Sequence, residues 1–169
     1  MQIKCLRYFL IGLLSIIFSS FVHAQGYPNR PITVIVPFSA GSASDVVTRV
    51  LLEKVATNNN IRFVFDNRPA AGGNVGTAAV VKADPDGYTI GMSTSGPLAV
   101  NKILNPDLGY DPERDLQPIA LFAVLPNVIV VSSALNIITL AQLNDYIRKT
   151  PDVGYGSVGN GSSQHLAGA

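Results

Sequence analysis

Residues 31–45 read Pro31-Ile32-Thr33-Val34-Ile35-Val36-Pro37-Phe38-Ser39-Ala40-Gly41-Ser42-Ala43-Ser44-Asp45. Ile32, Val34 and Val36 alternate with Thr33 and Ile35 between two prolines, which predicts a short, mostly buried strand. From Ser44 the period changes. Val46, Val47, Val50, Leu51 and Val55 fall on one face of a predicted helix, with Arg49, Glu53 and Lys54 on the other. Between strand and helix lies a loop of small residues.

Outward from this unit the rhythm repeats. Asn58-Asn59-Asn60 ends the helix, and Phe63-Val64-Phe65 predicts a second strand. After the loop Asn67 to Gly73, residues 75–83 read as a helix. Pro85-Asp86-Gly87 is a turn. Thr89 to Thr94 predicts a third strand, and Leu98 to Leu104 a third helix. Alternating strands and helices predict an α/β fold, an open parallel sheet with helices on both faces. Asn105-Pro106, Asp111-Pro112 and Gln117-Pro118 mark a surface connection. Ile119 to Leu125, Asn127 to Val131 and Gly154 to Val158 read as further strands. Thr139-Leu140-Ala141-Gln142 fits a capping box opening a helix to about Lys149. Gly159-Asn160-Gly161-Ser162-Ser163 opens another helix, and Ala169 falls about one turn into it, too short a helix to be stable alone. The expectation is a protein truncated at its C-terminal end relative to its fold, binding ligand weakly and prone to associate. The alternative is a protein that is short in its own right.

The first residues form an export signal by pattern. Lys4 and Arg7 precede the apolar stretch Tyr8 to Phe21, and Val22-His23-Ala24 supplies a small-residue cleavage site. The apolar stretch is shorter than the roughly 20 residues of a spanning helix, which argues against an uncleaved anchor. Residues 1–24 are expected to be removed, leaving Gln25 first and placing the protein in the periplasm. Cys5 precedes the apolar run, so it is no lipid anchor, and it leaves with the signal. Loss of Lys4 and Arg7 takes 12 basic and 11 acidic residues to 10 and 11, a formal charge of −1. With no basic tract, nucleic acid is excluded as a partner class.

The chemistry is in the loops. In an open parallel sheet, ligands bind beyond the carboxyl ends of the strands. The Phe38–Asp45 loop leads into a helix whose free N–H groups and dipole favour an anion. Ser42, Ser44 and Asp45 also suit an ordinary helix cap, so this loop alone leaves both readings open. The pattern recurs at Gly72-Gly73-Asn74-Val75-Gly76, at Ser93-Thr94-Ser95-Gly96 and at Gly159 to Ser163. Four such places point to one uncharged, polar cleft. The phosphate-binding Gly-x-x-x-x-Gly-Lys-Ser/Thr loop, the full dinucleotide fingerprint and the Gly-x-Ser-x-Gly elbow do not occur. His165 is the only histidine after the signal, so no Cys/His metal cluster and no cofactor is expected.

Several collinear segments resemble the Bug family, the TctC-like extracytoplasmic solute-binding proteins of tripartite tricarboxylate transporters. They are Tyr27-Pro28-Asn29-Arg30-Pro31-Ile32, Val36-Pro37-Phe38 through Asp45, Asn67-Arg68-Pro69-Ala70-Ala71-Gly72-Gly73-Asn74-Val75-Gly76, Ala83 to Thr89, Tyr110-Asp111-Pro112, Pro126-Asn127-Val128 and Tyr155 to Gly168. The resemblance implies a type II periplasmic-binding-protein-like fold of two α/β domains with a cleft between them. Residues 25–120 would belong to the first domain and 121–169 would begin the second. It implies a small-carboxylate ligand, membrane permease partners and no enzyme activity. It also implies ligand contacts at Phe38, Gly41, Ser42, Ala43, Asp45, Asn74, Ser95, Asn160, Gly161, Ser162 and Ser163. In the first loop Ser39-Ala40-Gly41-Ser42-Ala43-Ser44-Asp45 replaces the family's usual Pro-Pro-Gly-Gly-Ala-Thr-Asp. The other function classes left standing are a non-functional exported fragment and a hydrolase-type enzyme. The latter would need a base, for which only His165 offers an imidazole.

Overall fold

The computed structural model describes residues 26–169. The expected signal segment, its cleavage after Ala24 and Cys5 lie outside the described residues. Strands β1 (Ile32–Val36), β2 (Phe63–Asn67) and β3 (Thr89–Gly91) form one parallel sheet in the order β2-β1-β3. Val34 stands opposite Phe65 on one side and Ile90 on the other. Ile32, Val34, Ile35 and Val36 are all buried. A parallel strand covered on both faces reads as a near-continuous apolar run, which is why Ile35 breaks the alternation.

Helix α1 (Ala43–Asn59) connects β1 to β2, and α2 (Asn74–Val81) connects β2 to β3. The first crossover moves to one side of β1 and the second returns past it. Right-handed crossovers therefore put the two helices on opposite faces. The strand order reverses at β1, so the carboxyl end of β1 is the switch point of the sheet, the place where open α/β sheets bind ligands. Close packing brings α2 onto that end: a Cβ on Gly76 would stand 2.5 Å from Cβ of Pro37.

Two expectations from sequence need correction. The apolar face of α1 does not turn wholly inward. Val46, Val50 and Leu51 are 48%, 64% and 40% exposed, whereas Asp45 and Thr48 are buried. Val47 and Val55 are half-buried. The polar contacts of Asp45 and Arg49, described below, set the rotation of the helix and override the valine stripe. Secondly, Ile119–Leu125, Asn127–Val131 and Gly154–Val158 carry no ladder. Leu121 and Val130 are 87% and 83% exposed. A strand is held by the N–H and C=O groups of a neighbour, and among the described residues none pairs with these runs.

The remaining elements are short. β3 stops at Gly91, although the Met92 N–H still donates to Ile35 O at 3.0 Å. A π-turn at Gly96–Val100 then runs into α3 (Asn101–Leu104), so the third predicted helix is this pair. The connection beyond contains α4 (Pro112–Asp115), capped by Asp111. The capping box of α5 (Leu140–Lys149) forms as expected: Thr139 Oγ1 accepts the Gln142 N–H at 3.2 Å, and Gln142 Oε1 accepts the Thr139 N–H at 3.2 Å. The last element is α6 (Ser163–Gly168). No helix among the described residues is long and apolar enough to cross a membrane.

Gly76→Ala should lower stability by about 1–3 kcal/mol through overpacking against Pro37. Gly154→Ala, where an added Cβ meets nothing within 4 Å, should stay within about half a kcal/mol of the parent. Urea denaturation of the two variants beside the parent protein checks this.

Candidate functional site

The first loop is built around a buried carboxylate. Ser42 caps α1, its Oγ accepting the Asp45 N–H at 3.3 Å and its carbonyl the Val46 N–H at 2.9 Å. Asp45, 2% exposed, accepts the Gly41 N–H at 2.9 Å, the Asn67 Nδ2 at 2.9 Å and the Arg49 Nε at 2.9 Å. The Arg49 hydrogen bond is the largest influence on its acidity. Burial opposes it, Asn67 and the Gly41 N–H reinforce it, and the carboxyl titrates at about 2 instead of 3.8. Gly41 has φ +80°, a left-handed conformation suited to glycine. It directs its own N–H inward to Asp45. Ala43 is exposed, and among the described residues the Ala43 and Ser44 N–H groups make no hydrogen bond. They are the free donors of this helix start.

The second and third loops meet the first at Phe38. A Cβ on Gly73 would lie 3.0 Å from the Pro97 ring and 3.2 Å from the Phe38 ring. Asn74, the first residue of α2, accepts from Asn101 Nδ2 at 2.7 Å. Asn101 is itself buried. The Tyr110 hydroxyl donates to Pro97 O at 3.0 Å and stands 3.4 Å from Asn74 Oδ1. Burial pushes the pKa of this phenol above its ordinary value, so it stays a neutral donor. Thr77 and Ser93 join α2 to the end of β3, hydroxyl to hydroxyl, at 2.8 Å. Ser95 is exposed, just before the π-turn.

The fourth loop, distant in sequence, closes on these. The Asn160 carbonyl oxygen lies 2.7 Å from where Gly72 would carry a Cβ, and the Gly161 carbonyl oxygen lies 2.6 Å from the equivalent point on Gly96. Gly161, with φ +74°, packs directly on the Asn101 side chain. Ser162 is buried and caps α6, its Oγ accepting the His165 N–H at 3.2 Å. Ser163 Oγ donates to Asn127 Oδ1 at 3.2 Å. His165 is engaged by Tyr155, whose hydroxyl donates to the His165 carbonyl at 2.9 Å and stands 3.4 Å from Nδ1.

All four loops thus touch at the switch-point end of the sheet, through Phe38, Gly72, Gly73, Pro97 and Gly161. Two open grooves, of about 620 and 440 Å³, lie elsewhere. One lies over Thr33, Val75, Ala79 and Lys82, the other between α1 and β2. Their linings are mostly aliphatic stems, without the convergent neutral donors of the loops. Sequence reasoning did not single out Asn67, Arg49, Asn101, Tyr110 or Thr77 as site residues. Asn67 and Tyr110 do sit in the motifs quoted above, and a polar residue ending a strand was the available signal.

Asp45→Asn should cost about 1–3 kcal/mol at neutral pH, the range for a charged hydrogen bond lost from a buried site. The folded-state carboxyl at about 2 lies below its ordinary 3.8, so its stabilisation is complete above that value and is lost as pH falls toward 2. Urea denaturation of parent and variant should therefore show a gap that narrows across that window.

Comparison with known proteins bears on the family and the fold. Residues 47–168 match the model of the "Tripartite tricarboxylate transporter family receptor". A Pseudomonas sp. (strain P51) protein from the tcbD-tcbE intergenic region is 36% identical over 167 residues, covering 96% of this chain and 49% of its own length. The solved structure of R. palustris Rpa4515 with adipate superposes with TM-score 0.79 at 33% identity, over 85% of this chain and 48% of that one. Periplasmic binding protein BugD gives TM-score 0.70 at 30% identity, over 84% and 48%. The chain spans about half the length of the curated relatives it matches. Its fold is that of the periplasmic solute-binding proteins, and the chain belongs to the tripartite tricarboxylate transporter receptor family.

Proposed function

We propose that this chain forms the carboxylate-facing loops of an exported solute-binding protein, which captures a small carboxylate in the periplasm for the permease subunits of a tripartite tricarboxylate-type transporter. The observation that carries the reading is the convergence of four small-residue loops at the switch point of the sheet. A carboxylate needs hydrogen-bond donors, and uncharged donors hold it without the desolvation cost of burying a fixed ion pair. The free Ala43 and Ser44 N–H groups, the Asn74 carboxamide and the hydroxyl of Ser95 supply such donors. Phe38, Gly41, Ser42 and Asp45 shape the first wall, and Asn160, Gly161 and Ser162 the opposite one. The adipate held by a relative of the same fold supports a dicarboxylate ligand.

A hydrolase-type reading finds less support. It requires a nucleophile within hydrogen-bond reach of a base, and the side-chain partner of the His165 ring is the Tyr155 hydroxyl. The third class, an exported fragment without function, separates from binding by experiment.

Adipate, shorter and longer dicarboxylates and aromatic acids should each be titrated into the protein while its melting temperature is followed. Adipate should give a saturable rise without turnover, with a dissociation constant on the order of millimolar for a chain that spans about half the length of its relatives. Asn74→Ala should weaken binding about tenfold, the equivalent of one hydrogen bond. No shift with any acid of the panel, or turnover of an ester substrate, would overturn the proposal.

A further inference from the structure

The side chain of Asn67, at the end of β2, has three partners of fixed polarity. Its Nδ2 donates to the Phe38 carbonyl at 3.0 Å and to Asp45 Oδ1 at 2.9 Å, and its Oδ1 accepts from Arg49 Nη2 at 2.9 Å. A carbonyl and a carboxylate only accept, and a guanidinium only donates. The carboxamide therefore has one orientation, and reversing it would break all three bonds. Arg49 is fixed in turn: its Nε reaches Asp45 at 2.9 Å, and its guanidinium lies 4.3 Å above the Phe65 ring of the same strand.

We infer that Asn67, held by Arg49, is the positioning residue of the first ligand loop: it ties the Phe38 carbonyl and, through Asp45, the Gly41 N–H to the end of β2, so that the loop is preorganised before ligand arrives. The inference rests on the reading of this loop as ligand-facing. The exposed stretch Ser39-Ala40 is left spanning two anchored ends. Anchoring removes ordering entropy that binding would otherwise have to supply. The network also balances charge. Arg49 offsets Asp45 beside the helix start, so the loop shows an anionic ligand dipoles instead of a bare carboxylate.

Asn67→Asp tests this, because it keeps the shape and replaces the donors by acceptors. At neutral pH it sets a second carboxylate against Asp45 Oδ1 and the Phe38 carbonyl. The charged groups facing it are Asp45 and Arg49, with the Asp66–Arg68 pair alongside at the end of the same strand. Hydrogen–deuterium exchange resolved to the Gly41 amide, at micromolar protein, should show its protection factor falling about tenfold or more. Adipate affinity should fall with it. Both should recover as pH is lowered and the two carboxyls come to share a proton. A residue that merely fills space would show no such recovery. Should Asn67→Asp not fold, Arg49→Lys keeps a cation beside Asp45 but loses the bond to Asn67, and a smaller loss of Gly41 protection is expected. Gly41 protection within about twofold of wild type in the folded variants overturns the inference, as does lost protection with unchanged adipate affinity. Failure of the wild-type protein to bind adipate overturns the functional reading instead, and Gly41 protection then still decides whether Asn67 holds the loop.

Discussion

The buried carboxylate of Asp45 is the constraint on which this structure turns. A carboxylate with almost no solvent contact must have its lone pairs filled by donors. Here they come from a loop backbone (Gly41), the same helix (Arg49) and the neighbouring strand (Asn67). Meeting all three at once leaves α1 one rotation about its axis. That rotation turns Asp45 and Thr48 to the sheet and leaves Val46 and Val50 outward. A few charge-assisted hydrogen bonds at the first turn thus decide the facing of a 17-residue helix. The aliphatic residues it exposes are the consequence.

The second organising feature is close approach of backbones. Loops that meet through side chains stand apart by the length of those side chains. Loops that meet through Gly72, Gly96 and Gly161 bring peptide groups together, and none of these positions has room for a Cβ. Glycine is therefore required at these contacts by packing as well as by backbone angle. At Gly72 and Gly161 the angle is left-handed too. Bringing peptide groups together concentrates dipoles in a small volume without any net charge.

Much of this was legible in the sequence, and the exceptions have identifiable physical causes. The three strands and both crossover helices followed from periodicity, because a strand between prolines and a capped helix are local signals. The four small-residue loops could be seen to be alike, and the meeting of the first three follows from the parallel order, which places strand ends on one side; the fourth follows no strand and joins them through its backbone contacts with Gly72 and Gly96. The facing of α1 could not be read: the valine stripe is a pattern of the helix itself, whereas the contacts that override it come from Asn67 and the Phe65 ring, on the next strand. Asn101 and Tyr110 were missed for the same reason, since their partners are Asn74 and Pro97. Ile119–Leu125 and Asn127–Val131 have strand-like composition, but composition supplies only a propensity. The ladder needs a partner, and a one-dimensional pattern does not say whether one is there.

These features make one argument about how a loop can be both firm and weakly gripping. On the proposed reading the ligand must also be let go, and an ion pair buried around it would oppose release, because breaking such a pair leaves an uncompensated charge. The charges near this site are used up on each other: Asp45 with Arg49, and, further out, Lys102 with Asp111. What remains toward the loops is a set of N–H, hydroxyl and carboxamide groups. Each contributes modestly, since it exchanges a water for a ligand oxygen. Selectivity must then come from geometry, from how many donors stand at the right separation at once, and geometry of that kind lasts only if the loops do not move when the ligand leaves. The Asp45 network and the glycine contacts supply that rigidity with groups that need not touch the ligand at all.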